Sequence, residues 1–350
     1  MSVTLDRRVS KTSITSGQTS LGHDAILEKL IYAMLRLSGD RCHLYLLAII
    51  FPFFIYSFTV SLNGGRPPHF IHQENSQLMR EILHKELLID QSKRQLYDSE
   101  RPVPKIVHFT WGGKSPMRFH QMVCFLSAYH VLRPKKIIVW YSMYYPTGKW
   151  WEFIKKNITN FQHVVNLRKK VDPDSIFGRA VHVPEHKSDI TRLQVLLETG
   201  GIYLDLDVLV LRPFDALLSY ETTMGLENDY GLCNGIIIAK RNATFLRLWW
   251  EEYKTFNDQQ WSVHSVRLPC LLSKTYPWMI HIEADTLNRP NWHELDYLYG
   301  IKKYNWRKNY AIHLWFRKYG VEHDLESIKK VDSTFGQIFR YILYGHPRII

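Results

Sequence analysis

Hydrophobic and polar positions fall into three regimes along this chain. Residues 44 to 62, LYLLAIIFPFFIYSFTVSL, run nineteen positions without a charge, enough for a helix to cross a hydrocarbon core of about 30 Å. Pro52 would kink that helix, which membrane spans tolerate. Ahead of it lie a polar start and an amphipathic AILEKLIYAMLRL; behind it, NGGRPPHF breaks regular structure, and the charged stretch from about 70 to 100 reads as a partly helical stem. From Pro102 onward, short apolar runs alternate with segments of helical period: KIVHFTW, a helix near 119–132, KIIVWYS, a helix near 149–158, then HVVNL. Such alternation predicts an α/β domain built on a largely parallel sheet.

Next comes EHKSDITRLQVLLETGG, whose Ile190, Leu193, Val195, Leu196 and Leu197 predict a mostly buried helix ended by Gly200-Gly201. The strand expected to follow, GGIYLDLDVLVL, is apolar except for Asp205 and Asp207. With period two, both aspartates point to one face, while Leu204, Leu206 and Val208 point to the other. Paired carboxylates in a poorly solvated strand repel each other and each carries a desolvation penalty, so a neutralising partner is expected. A hard divalent cation, Mg²⁺ or Mn²⁺, suits oxygen ligands. A strand end emerging into solvent is the alternative, and D-x-D spacing alone does not choose between them. The acids would sit late in a strand at the edge of the sheet, where α/β sheets place their ligands.

The formal net charge of +12 is spread diffusely, without a long basic run or a basic helix, which weighs against a nucleic-acid partner. Orientation across a membrane is weakly signalled: Lys29, Arg36 and Arg41 precede the charge-free run, and Arg66 and Arg80 follow it. Two glycosylation sequons, Asn157-Ile-Thr159 and Asn242-Ala-Thr244, lie C-terminal to the run and would be usable only in a secretory lumen. The expected organisation is therefore a cytoplasmic tail (1–43), a transmembrane signal anchor (44–62), a stem (63–101) and a lumenal domain (102–350). Cys42 abuts the span, while Cys124, Cys233 and Cys270 allow at most one disulfide within the domain.

The blocks PKIVHFTWGGK, HKSDITRLQVLLETGGIYLDLDVLVLRPFD and AIHLW resemble glycosyltransferases of the family 32 type, the DxD-containing sugar-binding group. The middle block is also similar to α-1,4-galactosyl- and α-1,4-N-acetylglucosaminyltransferases. The resemblance covers roughly residues 102 to 320 and implies a GT-A fold, a nucleotide-sugar donor, a retaining transfer that leaves an α-linkage on a glycan or glycolipid acceptor, and residence in the Golgi membrane. By the match, Asp205 and Asp207 bracket Mn²⁺, or Mg²⁺, at the donor diphosphate, and His313 of AIHLW completes the metal shell. Asp189 and Arg192, three positions apart on one helical face, would reach toward the donor sugar and diphosphate.

His108 and Trp111 of the first strand, with Gly112, would face the donor, as would Gly201 and Tyr203 of the strand before the aspartates. Within GLENDYGLCNGIIIAK, Glu227, Asp229 and Asn234 are each placed to face the acceptor or the reacting carbon; Asn234 is expected to help hold the donor sugar, with Glu227 the second candidate. Retaining transfer goes by a front-face route or through a covalent intermediate, and the residues leave both open. Where related sequences tend to carry T-G-P, this chain reads SVRLPCLLSK, a departure expected to border the acceptor. That departure motivates an alternative reading, a catalytically inactive, membrane-anchored glycan-binding protein on the same scaffold.

Overall fold

The computed structural model describes residues 102–350. The charge-free run at 44–62, the expected tail and stem, and Cys42 lie outside the described residues. Among the described residues no helix is long and apolar enough to cross a membrane.

The first half alternates as expected: β1 (Ile106–Trp111), α1 (Phe119–Ser127), β2 (Lys136–Tyr141), α2 (Lys149–Asn157), a short α3 (Phe161–Val164) and β3 (Val165–Lys169). HVVNL thus enters its strand at Val165, because His163 and Val164 close the helical turn before it. A two-residue hairpin, β4 (Ser175–Ile176) and β5 (Arg179–Ala180), leads to α4 (Pro184–Thr199). Pro184 at the first helical position suits an N–H that has no helical partner, and Gly200 ends the helix with φ 65°.

Beyond α4 the chain forms β6 (Gly201–Leu204), β7 (Val208–Val210), the hairpin β8 (Thr222–Asn228) and β9 (Gly231–Ala239), then α5 (Thr244–Glu252) and α6 (Leu268–Thr275). It continues through β10 (His281–Glu283), α7 (Asp296–Tyr299), β11 (Ala311–His313) and α8 (Phe316–Tyr319) to α9 (Thr334–Tyr344).

The main sheet has seven strands in the order β3-β2-β1-β6-β9-β8-β10. Only β9 runs against the others, pairing antiparallel with β6 and β8, while every other neighbouring pair is parallel. The expected mostly parallel α/β sheet is therefore what this sequence builds. From β1 the chain steps outward to β2 and β3, then returns to place β6 on the other side of β1. Open sheets bind ligands in the crevice outside the strand ends where the order reverses in this way.

Strand alternation divides the core between the two faces. Val107, Phe109, Ile202, Leu204, Ile236 and Ile238 pack into the larger cluster with α1, α2 and α9, whereas Tyr203, Ile237 and Ala239 join α4, α5 and α6 on the other side. A separate two-stranded antiparallel pair, β7 with β11, brings His313 opposite Val208.

Candidate functional site

The aspartates do not share a continuous strand. β6 ends at Leu204, and residues 205–207 form a turn whose Val208 N–H donates to the Asp205 carbonyl (3.1 Å) before β7 starts in the other sheet. The carboxylates are neighbours, as expected, but through a turn at the carboxyl end of a central strand rather than through the pleat. That turn is pinned on both sides: the Asp205 N–H donates to the Gly235 carbonyl (2.8 Å), and the Asp207 carbonyl accepts from the Leu314 N–H (2.8 Å).

Asp205, Asp207 and His313 each present one ligand atom, all within 4.8 Å of one another. His313 Nε2 lies 3.0 Å from Asp207 Oδ1, and the Phe316 N–H at the start of α8 donates to Asp207 Oδ2 at 3.1 Å. Burial pushes the Asp207 carboxyl up, but the His313 charge, its hydrogen bond and the Phe316 N–H outweigh it and draw the pKa down to about 2. Burial opposes charge on His313 as well, yet Asp207 and Cys233 hold its pKa well above the usual imidazole range. The His313 charge and the Asp207 carboxylate thus balance each other, and the imidazole ligates a cation once it gives up its proton. Two carboxylates and an imidazole fit a hard or borderline divalent cation.

Asp189 and Arg192 are a buried pair rather than a surface one. Arg192 Nη2 lies 3.1 Å from Asp189 Oδ1 and 3.4 Å from Asp205 Oδ1, so one guanidinium ties α4 to the aspartate turn. Its Nη1 donates to the Asn234 carbonyl (2.8 Å), and the Asn234 amide donates to Asp189 Oδ1 (2.7 Å). Burial disfavours the charged form of both side chains. For Arg192 the charges of Asp205, Tyr203 and Asp189 prevail and its pKa is raised. For Asp189 burial prevails over Arg192, and its pKa is raised too.

Tyr203 lies fully buried beneath the turn, its hydroxyl donating to Asp205 Oδ1 (2.8 Å) and meeting Thr110 Oγ1 at 2.8 Å, with the Arg192 guanidinium 4.7 Å over its ring. These groups surround a cavity of about 850 Å³, lined among others by Asp189, Arg192, Asp205, Asp207, Asn234 and His313. Glu227, near the end of β8, lines it too, and burial raises its pKa against the opposing influence of His313 and Trp292.

Four expected donor contacts lie elsewhere. Trp111 shares a face with Val107 and Phe109 and belongs to the α1-side core, because residues 106, 108 and 110 take the α4 face. It is Thr110, one position earlier, that reaches the Tyr203–Asp205 network. His108 is on the α4 face but fully buried below the site, accepting from Trp140 Nε1 (3.1 Å) and donating from Nε2 to the Gly200 carbonyl (3.0 Å). Gly112 is exposed and outside the cavity lining. Gly201, at φ 121°, serves packing: a Cβ there would meet the Ile106 carbonyl at 2.5 Å and His108 Nε2 at 2.9 Å.

Besides Thr110, two site residues escaped the sequence reading. Cys233 Sγ sits 3.4 Å from His313 Nδ1, and Gly235 leaves the room that Asp205 and His313 fill, since a Cβ there would lie 3.0 Å from each. Neither carries a sequence signal, a lone cysteine and a lone glycine inside an apolar strand having no pattern to read. Cys124, Cys233 and Cys270 are all free thiols. The SVRLPCLLSK segment borders the cavity through Ser265, Val266 and Arg267.

Residues 120–224 match the family model described as the glycosyltransferase sugar-binding region containing the DXD motif. Glucan organizing enzyme 1 of Cryptococcus neoformans is 32% identical over 264 residues, covering 68% of this chain and 70% of that protein. Lactosylceramide 4-alpha-galactosyltransferase of Mus musculus is 27% identical over 165 residues, 41% of this chain and 44% of that enzyme. Among solved structures, the galactosyltransferase LgtC with donor and acceptor sugar analogs aligns over 70% of this chain and 97% of its own, at 11% identity and a TM-score of 0.38. The family model and the extent of the first relative, together with the aspartate turn, identify the chain as a glycosyltransferase, a member of the DXD-containing family 32 type.

Proposed function

We propose that the cavity binds a nucleotide-sugar donor, a UDP-sugar with GDP-mannose as the nearest variant, and passes its sugar with retention to a glycan or glycolipid acceptor, leaving an α-linkage on a GT-A scaffold. The observation that carries this reading is the convergence of Asp205, Asp207 and His313 within 4.8 Å at a cavity of about 850 Å³.

A divalent cation, Mn²⁺ or Mg²⁺, held there would supply positive charge to the departing diphosphate oxygens without any proton transfer. Asp205 and Asp207 orient that charge, each fixed by its own partners: Tyr203 and Arg192 for Asp205, and His313 and the Phe316 N–H for Asp207. Asp189, committed to Arg192 and Asn234, positions the donor sugar through whatever hydrogen-bonding capacity those contacts leave. Glu227 is the cavity carboxylate that no described cation pairs with, which makes it the candidate to face the reacting carbon. As the C1–O bond to phosphate breaks, the acceptor oxygen bonds to C1 and its proton passes to the departing diphosphate.

The chain acts as a type II Golgi membrane protein with its catalytic domain in the lumen. Supporting this are the charge-free run at 44–62 and the exposure of Asn157 and Asn242, the acceptor residues of both sequons. No nucleic-acid partner is part of this reading.

The experiment is a binding titration of the purified full chain with UDP and GDP, with and without Mn²⁺. Cation-dependent binding of one nucleotide is expected. Binding of neither nucleotide by a folded sample would sink the reading.

A further inference from the structure

The cavity extends from the aspartate turn to a wall of aromatic side chains that the donor chemistry does not use. Tyr230, Trp261, Trp292 and Trp315 line it, and the first three are exposed by 74%, 57% and 40%. Each carries a cationic or imidazole group against its ring: Lys274 lies 5.9 Å from the Tyr230 centroid, Arg317 5.5 Å from Trp261, Lys318 4.9 Å from Trp292, and the His313 ring 3.8 Å from Trp315. Exposed indoles are ordinarily free to rotate, and cation–π contacts of this kind fix their planes in advance of a ligand.

Two of those cations are adjacent on α8, the short helix whose first N–H holds Asp207. Arg317 is itself anchored by Glu185 at 2.6 Å. Trp261 is held from behind as well, its carbonyl 3.1 Å from His186 Nε2, while Trp292 lies near enough to Glu227 to favour its carboxylate. The segment from His313 to Lys318 therefore connects the cation cluster to both tryptophans.

The lining chemistry selects among occupants. Val266 is the single aliphatic residue in the described lining, so a lipid tail would find no continuous apolar surface. Beside this wall the acids Glu185 and Glu227 nearly offset Arg267, Arg317 and Lys318, so a strongly charged acceptor is not favoured. Aromatic planes interleaved with polar groups match a pyranose ring, which has apolar C–H faces and a rim of hydroxyls.

We infer that Trp261 and Trp292 form the acceptor subsite and take a neutral saccharide, with an apolar face of a pyranose stacked on the indoles. This rests on the proposed transferase reading of the same cavity.

The test uses the full chain saturated with Mn²⁺ and with whichever of UDP and GDP it binds, titrated with lactose, cellobiose and maltose while tryptophan fluorescence and saturation-transfer NMR are recorded. At least one disaccharide is expected to bind. Trp261→Ala and Trp292→Ala should each weaken that binding roughly tenfold, Trp261→Phe and Trp292→Phe should recover part of it, and nucleotide affinity should stay unchanged in all four. Wild-type protein that binds nucleotide but none of the three disaccharides, or folded alanine variants that bind them as wild type does, would overturn the subsite while leaving the donor site standing. Failure to bind either nucleotide overturns the transferase reading itself, and this subsite with it.

Discussion

Cys233 and His313 meet at 3.4 Å, Sγ to Nδ1, on the opposite side of the imidazole from Asp207. This contact joins the β8–β9 hairpin to the β7–β11 pair at the point where Asp205, Asp207 and His313 converge. Three successive residues of β9 serve the site in turn. Cys233 supports His313, Asn234 holds Asp189 and, through its carbonyl, Arg192, and Gly235 leaves room for His313 while its carbonyl fixes the Asp205 N–H.

Partners that orient a ligating histidine commonly affect metal affinity by about 10- to 100-fold. Cys233→Ala should therefore weaken Mn²⁺ binding by about tenfold at the low end of that range. Cys233→Ser, which keeps a hydrogen-bonding atom, should lose less. Isothermal titration of the full chain with Mn²⁺ decides this, and equal affinities in all three proteins would remove Cys233 from the account.

Thr110 and Trp111 are neighbours in sequence with opposite surroundings. Thr110→Val removes the hydroxyl that meets Tyr203, so cation-dependent nucleotide binding should weaken while the melting temperature changes little. Trp111→Phe should do the reverse. Trimming a core indole lowers stability by about 1–3 kcal/mol, and nucleotide affinity should be retained. Thermal melts beside nucleotide titrations separate the two effects.

Arg192 is buried with Asp189 and Asp205 around it. Removing one member of a buried ion pair strands the other charges, at a cost of about 3–5 kcal/mol. Arg192→Met should show that loss in chemical denaturation, together with lost donor turnover. A variant as stable as wild type would mean that the aspartates do not depend on this guanidinium.

His108 makes stability depend on pH. Burial, joined by the Arg168 charge and only partly opposed by the Gly200 carbonyl, lowers its pKa from 6.5 to about 4. Trp140 donates to Nδ1, so a second proton there would face an N–H. Between these values the unfolded chain binds a proton that the native chain refuses, so acidification favours unfolding. The contribution, about 3 kcal/mol, is fully present above pH 6.5 and is lost as pH falls to about 4. His120, lowered by burial to about 3, acts in the same direction. Denaturation curves across pH 7 to 4 should slope less in His108→Gln than in wild type.

Local periodicity made the first βαβ units and α4 legible, since each is a short apolar run or a helical stripe bounded by glycine or proline. The site was legible where residue type carried the signal: two acids, a histidine, and an acid–arginine pair one turn apart. Faces and turns were harder to read. Alternation states that Thr110 and Trp111 point in opposite directions, but only the placement of α4 decides which direction meets the cavity. The letters D-L-D fit a pleat and a turn equally well, and the turn wins because Gly235 and Leu314 capture the backbone on either side. Cys233 belongs to the site through a pairing 80 residues apart, which no local pattern encodes.

The central claim is that Asp205 and Asp207 hold the cation on which donor turnover depends. Nucleotide release from a panel of UDP- and GDP-sugars by wild type, Asp205→Asn and Asp207→Asn, with Mn²⁺ and with EDTA, tests it most directly. The account predicts release from one donor by wild type, abolished by EDTA and by either substitution in proteins that still melt cooperatively. Near wild-type release by both variants, or release that EDTA leaves untouched, would contradict it.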